Sequence, residues 1–153
     1  MGSQASAALA AVSSETVHGT CVAIGGRGVL IEGQSGSGKS DLALRLIDRG
    51  AMLVSDDYTV LVRDGKGLVA RAPANIAGKI EVRGVGIVEM AQAGDTPLGL
   101  VVRLVDAPER LPVDDAVRRI AGVKLPEIAL NALEPSAPIK VELALKRAAG
   151  RSK

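Results

Sequence analysis

The sequence contains no phenylalanine and no tryptophan, and Tyr58 is its one tyrosine. A core built from 153 residues must then be Val, Leu, Ile and Ala, and an adenine ring has no Phe or Trp face to lie against. Base recognition falls to Tyr58, arginine side chains and backbone. A single cysteine, Cys21, excludes an intramolecular disulfide framework and a cysteine-based metal cluster, and reads as a small apolar residue within a strand. No apolar run approaches membrane-spanning length, and no charged segment leads into a signal-like apolar one. The expectation is a soluble cytoplasmic protein with no membrane partner. A formal net charge of +2, with no basic stripe on any expected helix, argues against a nucleic-acid partner.

Against these absences stands one complete motif, Gly33-Gln34-Ser35-Gly36-Ser37-Gly38-Lys39-Ser40, a phosphate-binding P-loop. Its setting is right: Gly28-Val29-Leu30-Ile31 before it reads as a strand, and residues 41–50 after it read as a helix closed by Gly50. Glycines let successive backbone N–H groups turn toward phosphate oxygens, and the helix N-terminus adds its positive end to the same anion. Lys39 is expected to stand solvated over the loop, within reach of β and γ phosphates. The Ser40 hydroxyl is a ligand for Mg²⁺. The motif implies a nucleoside triphosphate site. With Asn75 and Asn131 the only asparagines and neither followed by lysine, a guanine-reading Asn-Lys-x-Asp is absent, so ATP fits better than GTP.

The rest of the chain is strand-rich. Residues 1–15 are expected as a flexible tail, 16–149 as one domain, and 150–153 as a second tail. Residues 16–24 and 29–31 read as a hairpin about the turn Gly25-Gly26-Arg27-Gly28, and residues 59–63 and 68–71 as another about Asp64-Gly65-Lys66-Gly67. Between them, Ala51-Met52-Leu53-Val54-Ser55 is a short apolar strand. Residues 80–89 alternate as a strand interrupted by Gly84 and Gly86, and residues 98–105 form a buried strand. Residues 115–121 suit a short helix capped by Asp114, residues 123–130 are extended, and residues 138–149 form a last helix. Strands outnumber helices, so the sheet is expected to be mixed rather than a regular βαβ array.

Three places can complete the chemistry. The strand ending at Ser55 delivers Asp56 and Asp57 to its C-terminal end, where a P-loop protein needs its second acidic group for the metal. Adjacent residues on an extended chain face opposite ways, so one of the pair faces the site and the other braces backbone. His18 lies at the mouth of a strand beside Gly19, and its residue type fits either a structural or a functional place. Glu81 and Arg83, two apart, would share a strand face, either as a cross-strand ion pair or as a metal ligand beside a phosphate clamp.

Taken together, Val17-His18-Gly19, the P-loop, Ser55-Asp56-Asp57 and Glu81-Val82-Arg83-Gly84-Val85-Gly86-Ile87 occur in the order seen in HPr kinase/phosphorylase. The chain resembles that family's catalytic domain, over roughly residues 16–145, in the short form found in alphaproteobacteria. The resemblance implies an α/β P-loop kinase domain with a mixed β-sheet, of the fold related to phosphoenolpyruvate carboxykinase. It implies Mg²⁺- and ATP-dependent phosphorylation of a serine on HPr, the phosphocarrier of the sugar phosphotransferase system, by a homo-oligomer, since the family forms hexamers. It also implies roles. Lys39 holds phosphates; Ser40, Glu81 and Asp56 serve the metal; Asp57 is the base for the serine hydroxyl; His18 lies near the transferring phosphoryl group; Arg83 binds phosphate; Arg110 matches the family's downstream catalytic arginine. Long members carry an arginine in a Pro/Gly-rich loop tied to the reverse, phosphorylase reaction. The corresponding residues 133–138, Leu-Glu-Pro-Ser-Ala-Pro, have none. Two rivals share the P-loop: a small-molecule kinase, and an ATP sensor that transfers nothing.

Overall fold

The structure, a computed structural model, describes residues 13–112 and 116–151. Among the described residues, eleven strands and two α-helices run β1 (Ser14–His18), β2 (Thr20–Ile24), β3 (Arg27–Glu32), α1 (Lys39–Asp48), β4 (Met52–Ser55), β5 (Tyr58–Asp64), β6 (Gly67–Arg71), β7 (Lys79–Val82), β8 (Gly86–Glu89), β9 (Thr96–Leu104), β10 (Val117–Ile120), β11 (Val123–Leu130) and α2 (Ala137–Arg151), with a 3₁₀ turn at Ala74–Ile76. Nine strands form one sheet in the order β1-β5-β6-β9-β3-β2-β4, with β11 also paired to β9 and β10 to β11. β3 and β11 run parallel to β9 and the other pairings in this sheet are antiparallel, so the sheet is mixed as expected.

Alternation along the central strands divides the core in two. Val29 and Ile31 of β3 face the helices with Val22, Leu42, Leu46, Leu100, Val102, Val141 and Leu145. Leu30, one residue between, faces the other way with Cys21, Val54, Leu61, Val101, Ile120 and Leu125. A period of two therefore puts helices on one face and the flanking hairpins on the other. Both clusters are aliphatic. Cys21 lies inside the second, where burial pushes its thiol up to about 12 from an ordinary value of 9.0. Arg49 binds Glu142 through two bonds of 3.0 and 2.7 Å, tying α1 to α2.

Several expectations change. Residues 16–24 are not one strand but two, parted at Gly19, with β1 paired to β5 and β2 alone forming the hairpin with β3. β1 starts at Ser14, two residues before Thr16, with Ser14 opposite Val62 and Glu15 opposite Leu61. The last helix runs on through Arg151 rather than ending at 149. Residues 80–89 are a hairpin of their own, β7 against β8, and not one interrupted strand. The Val85 N–H bonds back to the Val82 carbonyl at 3.0 Å and Gly84 has φ 85°, the signature of a turn that needs glycine at its third position. Residues 117–120 are strand β10 rather than helix. Ala121 (φ 48°) and Gly122 (φ 79°) make a two-residue turn that folds β10 onto β11, and pairing with β11 overrides local helix preference. The cap assigned to Asp114 lies outside the described residues.

Candidate functional site

Strand direction assembles the site. β2 is antiparallel to both β3 and β4, so β3 and β4 point the same way. The end of β3, the end of β4 and the beginning of β2 therefore meet at one edge of the sheet. β3 delivers the P-loop there, β4 delivers Asp56 and Asp57, and β2 begins with Thr20 immediately after His18 and Gly19.

Within the P-loop, Gly36 and Gly38 adopt φ 82° and 98°, left-handed backbone that side chains resist. Gly33 is required for space: a Cβ there would stand 2.5 Å from Ser37 Oγ and 3.0 Å from Leu104 Cβ. Ser37 Oγ is itself buried with no hydrogen-bond partner among the described residues. Lys39 is not solvated as expected. It is 7% exposed, and its ammonium donates to the Gly33 carbonyl at 2.8 Å and the Gln34 carbonyl at 3.1 Å. The loop folds two of its carbonyls onto the cation, and this closes the loop around the lysine.

The two adjacent acids do different things. Asp56 is 7% exposed and fully engaged. Its Oδ1 accepts the Ser40 hydroxyl at 2.6 Å and the Thr20 hydroxyl at 3.1 Å, and its Oδ2 accepts the Glu81 backbone N–H at 3.0 Å. Asp56 thus joins the P-loop helix, β2 and the β7–β8 hairpin. Asp57 points out of the protein, with its Oδ1 2.8 Å from His18 Nε2 and both side chains about half exposed. The His18 ring lies 5.2 Å from that of Tyr58, its cross-strand partner. Asp57 sits at φ 67°, and the Tyr58 N–H reaches back over it to the Asp56 carbonyl at 2.7 Å. A three-residue turn with positive φ at its centre is uncommon and strained, and aspartate tolerates it better than most residues. The Ser55 hydroxyl closes the same turn onto the Tyr58 carbonyl.

Other expected residues are less engaged. Glu81 is brought to Asp56 by its backbone, with its side chain exposed. Arg83 does not share a strand face with Glu81, because the turn at Gly84 carries it to the exposed end of the hairpin. Arg110 is exposed in the segment after β9, and no described hydrogen bond or ion pair joins it to the P-loop or the acids. A cation is found elsewhere: Arg118 of β10 grips Glu32, the residue before Gly33, at 3.2 and 3.3 Å. Two further contacts frame the loop. Arg45 of α1 donates to the Ala132 and Glu134 carbonyls, and a Cβ on Gly38 would stand 3.1 Å from Ala132 Cβ. Residues 132–134 thus lie against the P-loop.

Relatives of known type match most of the chain. The family model described as HPr Serine kinase C-terminal domain matches residues 9–142. The chain belongs to that family. It is 39% identical over 129 residues to HPr kinase/phosphorylase of Bordetella pertussis, covering 76% of this chain and 42% of the relative. It is equally similar to the enzyme so named in Lactiplantibacillus plantarum, over 76% of this chain and 41% of that one. A solved structure, the Hpr(Ser) kinase/phosphatase from Coxiella burnetii, matches at a TM-score of 0.77 and 29% identity, over 90% of this chain and 98% of that chain. The chain spans about two fifths of the length of the curated relatives it matches. The mixed α/β sheet is that of the HPr kinase C-terminal domain.

The family context asks whether the residues present suit Mg²⁺ and a nucleotide. Among the described residues no group of three or more His, Cys, Asp or Glu side chains is placed to hold a metal by itself. Mg²⁺ in nucleotide sites is commonly held by one or two protein oxygens, with phosphate oxygens and water filling the rest. Ser40 and Asp56, 2.6 Å apart, are such a pair, and the left-handed glycines of the loop suit an anion. The donor set fits. No helix among the described residues is long and apolar enough to cross a membrane.

Proposed function

We propose that the chain is an ATP- and Mg²⁺-dependent protein kinase acting on a serine of an HPr-type phosphocarrier in the cytoplasm. The observation that carries this reading is the division of labour between adjacent acids. One is buried on the P-loop serine; the other is exposed beside the lone histidine, where an acceptor can reach it. In this reading the P-loop N–H groups and Lys39 hold the triphosphate, the lysine leaving its loop carbonyls for phosphate oxygens. Ser40 and Asp56 hold Mg²⁺, with Glu81 beside them, and the metal supplies charge neutralisation. Asp57 takes the proton of the acceptor serine, and His18 keeps the Asp57 carboxylate aimed outward at the acceptor. Phosphoryl transfer needs alignment and compensation of charge more than covalent help, and these residues supply both. Arg83 and Arg110, both exposed, are the phosphate-binding and catalytic cations of this reading. A homo-oligomer is part of it, tested by light scattering on the purified chain.

Incubation with γ-labelled ATP and purified HPr is the deciding experiment. Label on an HPr serine, lost in Asp57→Asn, is the expected result. Nucleotide binding with no label on HPr would favour a sensor, and label on a small metabolite would favour a small-molecule kinase.

The forward reaction should dominate. Inorganic phosphate attacking phosphoserine sets two dianions side by side and demands extra positive charge. Residues 133–138 lie near the P-loop but carry only Glu134, which pairs with Lys140. Arg118 is likewise paired with Glu32. Neither cation is free to hold a second phosphate without breaking an existing pair.

A further inference from the structure

Thr20 touches both acids with one hydroxyl. It opens β2, is wholly buried, and pairs with Ile31 on the P-loop strand. A threonine hydroxyl has one proton to give and lone pairs to receive. Here the proton goes to Asp56 Oδ1 at 3.1 Å, and a lone pair receives the Asp57 N–H, also at 3.1 Å. The side chain of one acid and the backbone of the next are therefore tied to the same atom.

We infer that Thr20 is a positioning residue that sets the two acids relative to each other. Its contact with Asp56 turns that carboxylate so that Oδ1 meets Ser40 and Oδ2 meets the Glu81 N–H. Its contact with Asp57 holds the backbone at φ 67°, the conformation that brings the carboxylate to His18. Left to itself, an aspartate returns to negative φ, because the left-handed region is unfavourable for any residue with a Cβ. That relaxation would swing the carboxylate off His18 and away from the acceptor. Thr20 rests on the P-loop strand through its pairing with Ile31, so the position of Asp57 is referred to the same strand that carries the phosphate loop. The inference rests on the reading of Asp57 as the base, and it adds the residue that aims it.

Thr20→Val keeps the branched shape and removes the hydroxyl, while Thr20→Ser keeps the hydroxyl and removes a methyl. The first readout needs no nucleotide: amide hydrogen exchange at Asp57, followed by NMR in the intact chain. Loss of one hydrogen bond should accelerate it about tenfold or more in Thr20→Val, with Thr20→Ser within about threefold of wild type. The second readout is turnover against nucleotide affinity. In Thr20→Val, kcat should fall about tenfold or more while the Kd for Mg²⁺-ATP moves less than about threefold, and Thr20→Ser should restore kcat. Wild-type turnover in Thr20→Val overturns the inference, as does unaltered exchange at Asp57 or a serine variant that behaves like valine. The base assignment fails on a different result, wild-type turnover in Asp57→Asn, which would leave the exchange measurement as it is.

Discussion

Replacing each of the two adjacent aspartates by asparagine should produce opposite kinds of damage. At position 56 the carboxylate accepts three bonds in a buried setting, two on Oδ1 and one on Oδ2. Asparagine has one oxygen. If it serves Ser40 and Thr20, its NH₂ confronts the Glu81 N–H, donor against donor. If it flips, the NH₂ meets two hydroxyls that were donating. Either way a buried donor goes unsatisfied, at about 1–3 kcal/mol, and the remaining bonds lose their charge assistance, at about 1 kcal/mol. Set against the relief of burying one charge fewer, the net loss is about 2 kcal/mol, which lowers the melting temperature of a chain this size by about 4–8 °C. At position 57 the side chain is about half exposed and has one ion-pair partner, His18. An exposed pair contributes about 0–1 kcal/mol, and asparagine accepts positive φ as readily as aspartate, so melting should move by at most about 3 °C. Turnover should instead fall about 10²–10⁴-fold, the range for loss of a general base. Calorimetry on the two variants, beside single-turnover transfer to HPr, measures both axes. Asp57→Asn melting as low as Asp56→Asn, or Asp56→Asn melting with wild type, would refute the division of roles.

Three further outcomes are expected. Lys39→Ala should lose about 10²-fold or more in transfer rate, and it should also loosen the empty loop, whose Gly33 and Gln34 carbonyls lose their donor; faster amide exchange through the loop without nucleotide checks the second part. With phospho-HPr and millimolar phosphate, pyrophosphate release should be far slower than kinase turnover, and a comparable rate would mean that Arg118 or Arg110 leaves its place to serve the second dianion. Cys21 favours its protonated form in the folded state, so its contribution to stability is complete below about 9 and declines as pH rises from 9.0 toward 12; urea melts between pH 8 and 11 should show that fall, and Cys21→Ala should flatten it.

The parts of the site that follow one another along the chain were legible in the sequence. A P-loop is local: glycines, lysine and hydroxyl act within eight consecutive residues, so composition alone carries it. The turn at Gly25-Gly26, with φ 57° and 81°, was legible for the same reason. The turn at Ala121-Gly122 has matching geometry, yet alanine carries a Cβ that disfavours positive φ, so nothing local marked residues 117–120 as a strand. What failed more deeply was pairing across the fold. Lys39 was expected in solvent because nothing in the sequence says that loop carbonyls will curl onto it. Which aspartate faces Ser40 depends on the turn at Asp57, and Thr20 acquires its importance from residues 36 and 37 positions away.

The β7–β8 hairpin stands apart from the nine-stranded sheet, and two strands on their own are marginal in water. Its turn end carries Val85 and Ile87, 74% and 73% exposed, while its root is tied to Asp56 by the Glu81 N–H and to itself by Met90 N–H on the Gly78 carbonyl. Ile80, 1% exposed, also seats the hairpin in the main core cluster, while Thr20 and Asp56 are bonded into the sheet and the P-loop helix. The site therefore has one wall built into the nine-stranded sheet and one held to it through Ile80 and the Glu81 N–H. Glu81 belongs to the second wall. Whatever draws Glu81 and Asp56 together therefore also tightens the root of a hairpin whose exposed apolar turn lies only four residues further along the chain.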